Sequence, residues 1–249
     1  TEGSPMTSTP LRAGLVGYGF AGQTFHAPVL SAVQGLELAA VASSQPHKVH
    51  ADWPGVAVVP DVAALVARSD IDLIVVATPN AQHHPVAKAA LEAGKHVVVD
   101  KPFTLDVVEA RELELLSKRN DRLLAVYQNR RFDSDYLTLK DVLASGELGR
   151  PVYLESHFDR FRPELKERWR EQAVPGSGLW VDLGAHLLDQ AVQGAVERQI
   201  HYGKQRGVPW GMSESGYHLT DAHLNYQYRA FGVPGLGLQR GLTEDLVVA

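Results

Sequence analysis

The chain contains no cysteine, no long apolar run and no excess of positive charge. Without cysteine among its 249 residues, disulfide bonds, thiol catalysis and cysteine-ligated zinc are excluded. Lys plus Arg number 24 against 29 for Asp plus Glu, and this formal charge of -5 argues against a dedicated binder of nucleic acid or anionic membranes. No apolar run approaches the ~20 residues that a membrane span needs. We therefore expect a cytoplasmic protein with a small-molecule partner.

Short apolar runs alternate with amphipathic segments along the first half of the chain. We predict strands at Leu11–Val16, Leu38–Ala42, Val56–Val59, Leu73–Ala77, His96–Val99 and Leu123–Tyr127. Between them we predict helices at Phe20–Val33, Asp61–Asp70, Pro85–Ala93 and Leu105–Arg119. Such β–α alternation places helices on both faces of a sheet through right-handed crossovers. The sequence therefore predicts an α/β fold with a doubly wound parallel sheet.

The pattern changes near residue 130, where we place a domain boundary. A helix is predicted to close at Gly146, and Pro151–Phe158 alternates like a strand with one face in water. These segments predict a second, truncated α+β domain over residues 131–197. Residues 198–249 lack the expected alternation of strands and form an atypical tail, and we expect residues 1–9 to be a leader.

A glycine-rich turn joins the first predicted strand to the first helix, with glycines at Gly17, Gly19 and Gly22. The first glycine of such a turn permits a tight bend, the second lets a pyrophosphate approach the backbone, and the third allows close packing of helix on strand. The start of the helix adds free N–H groups and the positive end of its dipole. The alternative is a tight turn without a ligand. The context favours a dinucleotide-binding Rossmann domain over residues 10–130.

The end of the second strand selects between the nicotinamide cofactors. A site for NAD typically places a carboxylate there, which accepts hydrogen bonds from the ribose 2′-hydroxyl. This chain instead has Ser43 and Ser44, with Lys48 nearby. Two hydroxyls and a cation suit a 2′-phosphate, so we expect NADP, with NAD as the alternative. The plainer interpretation is that the serines are ordinary turn residues and that the lysine solvates a helix.

Polar residues follow two later strands, at the edge where open α/β sheets bind ligands. Lys101 comes after a buried strand in the sequence Asp-Lys-Pro, and Thr78–Asn80 ends the preceding strand. Further along, Asp182 and His186 are four residues apart, so a helix would place both on one face. Histidine titrates near neutral pH and suits removal of a hydroxyl proton. A lysine nearby would stabilise the developing alkoxide.

Together these motifs resemble the Gfo/Idh/MocA family of NAD(P)-dependent oxidoreductases, from about Leu11 to Gln190. The resemblance includes the glycine turn, Thr-Pro-Asn, an Asp-Lys-Pro variant of a Glu-Lys-Pro motif, Asn-Arg-Arg and a GxxxDxGxH stretch. It implies that Lys101 holds the substrate and assists proton transfer, while Asp182 and His186 orient the hydroxyl and move its proton. It also implies cofactor contacts at Phe20, Ala21, Thr78, Pro79, Asn80, His83, Lys101, Asn129, Trp169 and Arg170.

The segments His157–Pro163 and Trp169–Gln172 look most like a bacterial branch of this family that includes NADP-dependent scyllo-inositol dehydrogenases. The resemblance therefore implies an oxidoreductase of sugars or polyols. The alternative is an inactive dinucleotide-binding module or a non-productive fusion, because family members normally continue with an open sheet that does not follow here. We expect no metal. Homo-oligomerisation is left open, since that sheet often forms the oligomer interface.

The tail departs from the family pattern. Val208–Ser215 and Tyr226–Leu238 resemble a glucoamylase-like segment of very large cyclic β-glucan synthases. Glu214 and Asp221 have the residue types of paired glycosidase carboxylates. Because the segment is far too short for an (α/α) barrel, we expect no glycosidase activity and interpret the tail as a fused fragment.

Overall fold

A computed structural model describes residues 9–149, 155–158, 161, 163–164 and 169–194, with the backbone alone for Arg170. The chain separates into two compact units, Thr1–Tyr127 and Gln128–Ala249, whereas the sequence placed a boundary near residue 130. The tail, including Glu214 and Asp221, lies outside the described residues, as do residues 1–8 of the leader.

The first unit is built on a six-stranded sheet in which neighbouring strands are parallel. The strands are β1 (Leu11–Val16), β2 (Leu36–Ala42), β3 (Ala57–Val59), β4 (Leu73–Val76), β5 (His96–Asp100) and β6 (Leu124–Tyr127). Their order, β3-β2-β1-β4-β5-β6, confirms the predicted doubly wound α/β fold. The order reverses between β1 and β4, and such a reversal opens a crevice at the carboxyl ends of the strands.

Helices cover both faces of the sheet because its strands are apolar on both sides. They are α1 (Ala27–Ala32), α2 (Pro46–Asp52), α3 (Val62–Val66), α4 (His83–Glu92) and α5 (Val107–Arg119). On one face Ile74 of β4 shares a core with Leu91 of α4 and Leu113 of α5. On the other face the next residue of the strand, Val75, shares a core with Val49 of α2. Alternating side chains of each strand therefore fill two separate cores.

Two helices of this unit begin at an aspartate. Asp61 Oδ1 accepts a hydrogen bond from the Ala64 N–H at 2.8 Å at the start of α3. Asp106 Oδ1 accepts one from the Glu109 N–H at 2.9 Å at the start of α5. A carboxylate at this position satisfies a backbone N–H that has no acceptor within the helix. The capping bonds fix where both helices begin.

The helices differ from the predicted ones in several places, three of which have a local cause. α3 ends at Val66 rather than Asp70, because the Asp70 carboxylate instead pairs with Arg68 where the chain turns towards β4. α4 begins at His83, ahead of the predicted start at Pro85, since proline is tolerated in the first turn of a helix. α2 has no counterpart among the predicted helices, because its short sequence carries too few apolar residues to show a helical period.

The regular secondary structure described in the second unit is helical. Asn129–Phe132 forms a 3₁₀ turn, and α6 spans Ser134–Ser145. α6 ends at Gly146, whose φ of 76° is the left-handed conformation of a helix C-terminus. Further along, a π-helical turn over Trp180–Gly184 continues as α-helix through residues 185–194, and we call this stretch the 180–194 helix.

The strand predicted at Pro151–Phe158 is wrong where the structure describes it. Residues 155–158 have irregular backbone, and the first three of them are exposed. A strand needs a neighbour that pairs with its N–H and C=O groups, and the described residues of this unit form no other strand. Residues 151–154 lie outside the described part of the chain.

Two leucines of α5 test the packing of this helix on the sheet. Leu113 is fully buried, whereas Leu115 is 67% exposed. We expect Leu113→Ala to lower the free energy of unfolding by about 2–5 kcal/mol, because it leaves a cavity in the core. Leu115→Ala should change it by less than about 0.5 kcal/mol. Chemical denaturation of both variants measures the difference, and equal losses would contradict the packing described here.

Candidate functional site

The glycine turn follows β1, where the strand order reverses. Gly17 has a φ of 93°, and a Cβ at this position would lie 2.6 Å from the carbonyl oxygen of Ala77. A Cβ at Gly22 would overlap the carbonyl of Gly17. The fold itself therefore requires glycine at both positions. In contrast, a Cβ at Gly19 would meet nothing within 4 Å.

The open space at Gly19 fits a ligand that approaches the backbone closely. The protein leaves room for a side chain there and yet has none, which is the arrangement that a pyrophosphate needs. Helical backbone begins directly afterwards, at Phe20 and Ala21, and continues into a π-helical turn over Gly22–His26. Phe20 is 71% exposed, with its ring edge-on to Phe25 at a centroid distance of 5.7 Å. The turn thus presents backbone and one exposed aromatic ring.

Asp52, at the end of α2, forms hydrogen bonds with two side chains of the glycine turn and the helix after it. Its Oδ2 accepts hydrogen bonds from the Tyr18 hydroxyl and the Gln23 side-chain amide, each at 2.8 Å. Burial of the phenol, followed by its hydrogen bond to this carboxylate, raises the pKa of Tyr18 to about 12. Asp52 is also the first carboxylate after β2 in the sequence. Because two side chains of the turn bind it, it serves the turn rather than a ribose at the end of β2.

The residues expected to select the cofactor lie at the carboxyl end of β2. Ser43 is half-buried, and Ser44 and Lys48 are exposed. Ser43 Oγ accepts a hydrogen bond from the Gln45 N–H at 3.0 Å, which leaves the hydroxyl proton available for donation to an anion. Lys48 lies in the first turn of α2. The end of this strand therefore offers donors and a cation.

The segment after β4 lies against the glycine turn. A Cβ on Gly17 would come within 3.4 Å of the Thr78 amide nitrogen. The Oγ1 atom of Thr78 is buried and has no hydrogen-bond partner among the described residues. Pro79 is exposed and Asn80 is buried. Buried polar groups are normally hydrogen-bonded, so an orphaned hydroxyl beside the turn fits a polar group of a bound ligand.

His83, expected to contact the cofactor, is 1% exposed. Its Nδ1 lies 2.7 Å from the carbonyl oxygen of Pro102, and its Nε2 lies 3.0 Å from that of Thr78. Both ring nitrogens are therefore used by backbone groups. The ring therefore has no nitrogen left for a hydrogen bond to a ligand, and the contact with a cofactor that the family resemblance implied stays a prediction.

Asp100 fixes the backbone at Lys101, at the carboxyl end of β5. One carboxylate oxygen accepts the Lys101 N–H at 2.7 Å, and the other lies 3.5 Å from Nε2 of the buried His26. Burial raises the pKa of Asp100, but the contacts with His26 and with the Lys101 N–H outweigh burial, so this pKa lies below its ordinary value. The His26 ring also lies against Tyr127, with 4.4 Å between ring centroids. An ionised carboxylate thus anchors the half-buried lysine.

In the second unit, Asp182 and His186 both lie on the 180–194 helix, which meets the condition under which their spacing places them on one face. Asp182 is half-buried and His186 is 6% exposed. The ring of Trp180 packs on Gly184, where a Cβ would come within 2.9 Å of it. Lys101 belongs to the first unit, whereas Asp182 and His186 belong to the second. The expected catalytic residues are therefore distributed over both units.

An ion pair that the sequence did not reveal ties this helix to the turn that begins at Asn129. Two guanidinium nitrogens of Arg131 donate to the Asp189 carboxylate, at 2.7 and 2.5 Å. These hydrogen bonds raise the pKa of Arg131, and Asp189 is only 4% exposed. The Tyr136 hydroxyl adds a bond to the Gln190 carbonyl at 3.0 Å. The sequence did contain one signal for this pair, because Asp189 interrupts an otherwise apolar stripe of the helix. A buried carboxylate requires a partner.

Three further residues expected to contact the cofactor lie in the second unit. Asn129 is half-buried at the start of its 3₁₀ turn. Trp169 is half-buried at the start of another such turn, Trp169–Glu171. The side chain of Arg170 lies outside the described residues. Contacts of these three residues with a cofactor stay predictions.

The described residues hold no group of three or more His, Asp or Glu side chains that could bind a metal ion. Within the same part of the chain, no helix is both long and apolar enough to cross a membrane.

Comparison with known proteins identifies the family. Residues 11–128 match the oxidoreductase family with an NAD-binding Rossmann fold, and residues 136–198 match the GFO/IDH/MocA C-terminal domain. The chain belongs to the Gfo/Idh/MocA oxidoreductase family. This result confirms the resemblance carried by the glycine turn and the later motifs.

Two relatives and one solved structure show how far the similarity extends. The chain is 59% identical over 185 residues to the uncharacterized oxidoreductase YdgJ of Escherichia coli, covering 74% of this chain and 54% of that protein. It is 34% identical over 182 residues to the scyllo-inositol 2-dehydrogenase (NADP(+)) IolW of Bacillus subtilis, covering 73% and 51%. An NAD-binding protein from Listeria innocua matches with a TM-score of 0.68 at 33% identity, covering 73% and 54%. The chain therefore spans about half the length of these relatives.

Substitutions in the glycine turn distinguish Gly17, which the fold requires, from Gly19, which we expect to serve cofactor binding. Gly19→Ala should leave the free energy of unfolding nearly unchanged, because the space is open, and should raise the Kd for NADPH by about tenfold, or about 1.4 kcal/mol. Gly17→Ala should lower the free energy of unfolding by about 1–3 kcal/mol, because of its positive φ and its closeness to Ala77. Denaturation and cofactor titration measure both effects. Unchanged NADPH binding in a folded Gly19→Ala variant would contradict the site.

Proposed function

We propose that the protein is an NADP(H)-dependent oxidoreductase that transfers a hydride between nicotinamide and a CH–OH carbon of a sugar or polyol. The observation that carries the proposal is the glycine turn at the reversal of strand order, with open space at Gly19 and the orphaned Thr78 hydroxyl beside it. Membership of the family supports the reaction class. The name of the Bacillus subtilis relative, a scyllo-inositol 2-dehydrogenase, supports a polyol substrate.

The residues of the first unit fit a dinucleotide with a 2′-phosphate. The backbone of residues 17–22 would hold the pyrophosphate, since the turn has room for it at its second glycine. Ser43, Ser44 and Lys48 would bind the 2′-phosphate, because the end of β2 carries hydroxyl donors and a cation. The nearest carboxylate after β2 in the sequence, Asp52, is bound by Tyr18 and Gln23 of the glycine turn through its Oδ2.

The remaining site residues would serve the reacting hydroxyl. In the direction of oxidation, the C–H bond breaks with its electron pair, and the hydroxyl proton passes to a ring nitrogen of His186. Asp182 would orient the hydroxyl, and the ammonium of Lys101 would stabilise the alkoxide as charge develops. NADP, when bound, supplies the nicotinamide carbon that accepts the hydride. The reverse sequence reduces a carbonyl group.

A second candidate function is a dinucleotide-binding module without turnover. The observation in its favour is that Lys101 belongs to the first unit, whereas Asp182 and His186 belong to the second. A catalytic group that is misplaced by ~1 Å can lose about a hundredfold in rate, so residues that support the substrate matter greatly. The two candidate functions share NADPH binding and differ only in turnover.

A carboxylate at the end of β2 tests the preference for NADP. Ser44→Asp should raise the Kd for NADPH by about tenfold, because a like charge would face the 2′-phosphate, and should leave the Kd for NADH within about twofold. Ser69→Asp, at an exposed position before β4, is the matched control and should change neither value. Fluorescence titration with both cofactors measures the ratio. Tighter binding of NADH than NADPH by the unaltered protein would refute the assignment.

Replacement of His186 tests the chemistry apart from binding. His186→Ala should lower turnover of scyllo-inositol with NADP by about 10²–10⁴-fold, because the proton acceptor is lost, while NADPH binding is kept. His157→Ala, at a histidine whose side chain is 59% exposed in the same unit, is the matched control. If the unaltered protein binds NADPH but shows no turnover, the result would favour the second candidate function, a dinucleotide-binding module without catalytic activity.

A further inference from the structure

His83 lies between two loops at the carboxyl edge of the sheet. It is the first residue of α4 and is 1% exposed. Its Nδ1 lies 2.7 Å from the Pro102 carbonyl oxygen, and its Nε2 lies 3.0 Å from the Thr78 carbonyl oxygen. Thr78 belongs to the loop after β4 and Pro102 to the loop after β5, so a single ring spans both loops.

The two partners determine which protons the ring must carry. A carbonyl oxygen only accepts hydrogen bonds, whereas a neutral imidazole has one N–H and one lone pair. In a neutral ring, one of the two contacts would place a lone pair against a carbonyl lone pair at hydrogen-bond distance. Because the ring is buried, water cannot relieve that contact. An imidazolium has an N–H at each nitrogen and satisfies both carbonyls.

We infer that His83 is a positioning residue that carries a proton on both ring nitrogens and thereby fixes the spacing of the two loops. A buried cation is costly unless it is hydrogen-bonded, and here both of its donors have acceptors at 2.7 and 3.0 Å. The two loops carry Thr78, with its orphaned hydroxyl, and Lys101. The effect on turnover therefore rests on the proposed function, whereas the state of the ring does not.

The adjacent residue, His84, supplies a matched control. It follows His83 on α4, but its Nε2 lies 2.8 Å from a carboxylate oxygen of Glu112 on α5. Its side chain is 18% exposed, and its partner is a carboxylate rather than a loop carbonyl. Substitution of His84 therefore removes a histidine from the same helix turn without removing the bridge between the loops.

The state of the ring is tested by NMR of the full chain labelled with ¹⁵N in its histidine rings, recorded near neutral pH. We expect one histidine with protons on both ring nitrogens and slow exchange with solvent, and its signals should be missing in His83→Gln and kept in His84→Gln. A lone-pair nitrogen signal assigned to His83 would overturn the inference. This result requires neither cofactor nor turnover, so it stands apart from the proposed function.

The consequence for the site is tested by separating binding from turnover. Glutamine offers a donor at a single point and cannot bridge both carbonyls, so His83→Gln should lower kcat by on the order of tenfold or more. The Kd for NADPH should change by less than about threefold, since the glycine turn is untouched, and His84→Gln should match the unaltered protein. An unchanged kcat in a folded His83→Gln variant would overturn the positioning role. If the unaltered protein lacks turnover, the proposed function fails and the NMR result alone decides the state of His83.

Discussion

The close approach of Gly17 to the carbonyl of Ala77 is the constraint on which the site depends. β1 and β4 are parallel neighbours, and the Ala77 N–H donates to the Val16 carbonyl at 2.9 Å. The chain that leaves β1 must therefore turn with no room for a side chain, and a positive φ at Gly17 achieves this turn. Gly22 then lets the helix pack against the same turn. Open space for a ligand at Gly19 follows from these two contacts.

Patterns in the sequence predicted the strands well, because strands buried on both faces appear as continuous apolar runs. β4, for example, was expected at Leu73–Ala77 and spans Leu73–Val76. Helix boundaries were less predictable, since they depend on which side chains pair at the ends. The Arg68–Asp70 pair that accompanies the early end of α3 has no signature in the apolar period. The irregular backbone at residues 155–158 shows a further limit, because alternation alone does not supply a strand with a partner.

The candidate site was predictable where the chemistry depends on glycine or on the end of a strand. The glycine turn, Ser44 and Lys101 all follow strands whose positions the apolar pattern had already fixed. The structural role of His83 was not predictable, because both of its partners are backbone carbonyls, which every residue has. The role of Asp52 was equally unpredictable, since the sequence does not show that a carboxylate at the end of α2 binds the turn after β1.

A paired carboxylate lies near each part of the expected catalytic set: Asp100 is half-buried and Asp189 is buried. Asp100 binds the Lys101 N–H in the first unit, and Asp189, one turn beyond His186, binds Arg131 in the second. Buried carboxylates are costly unless paired, so each of these residues restricts its neighbourhood to the one backbone arrangement that supplies its partner. Each unit therefore contains a paired carboxylate close in sequence to a residue of the expected catalytic set.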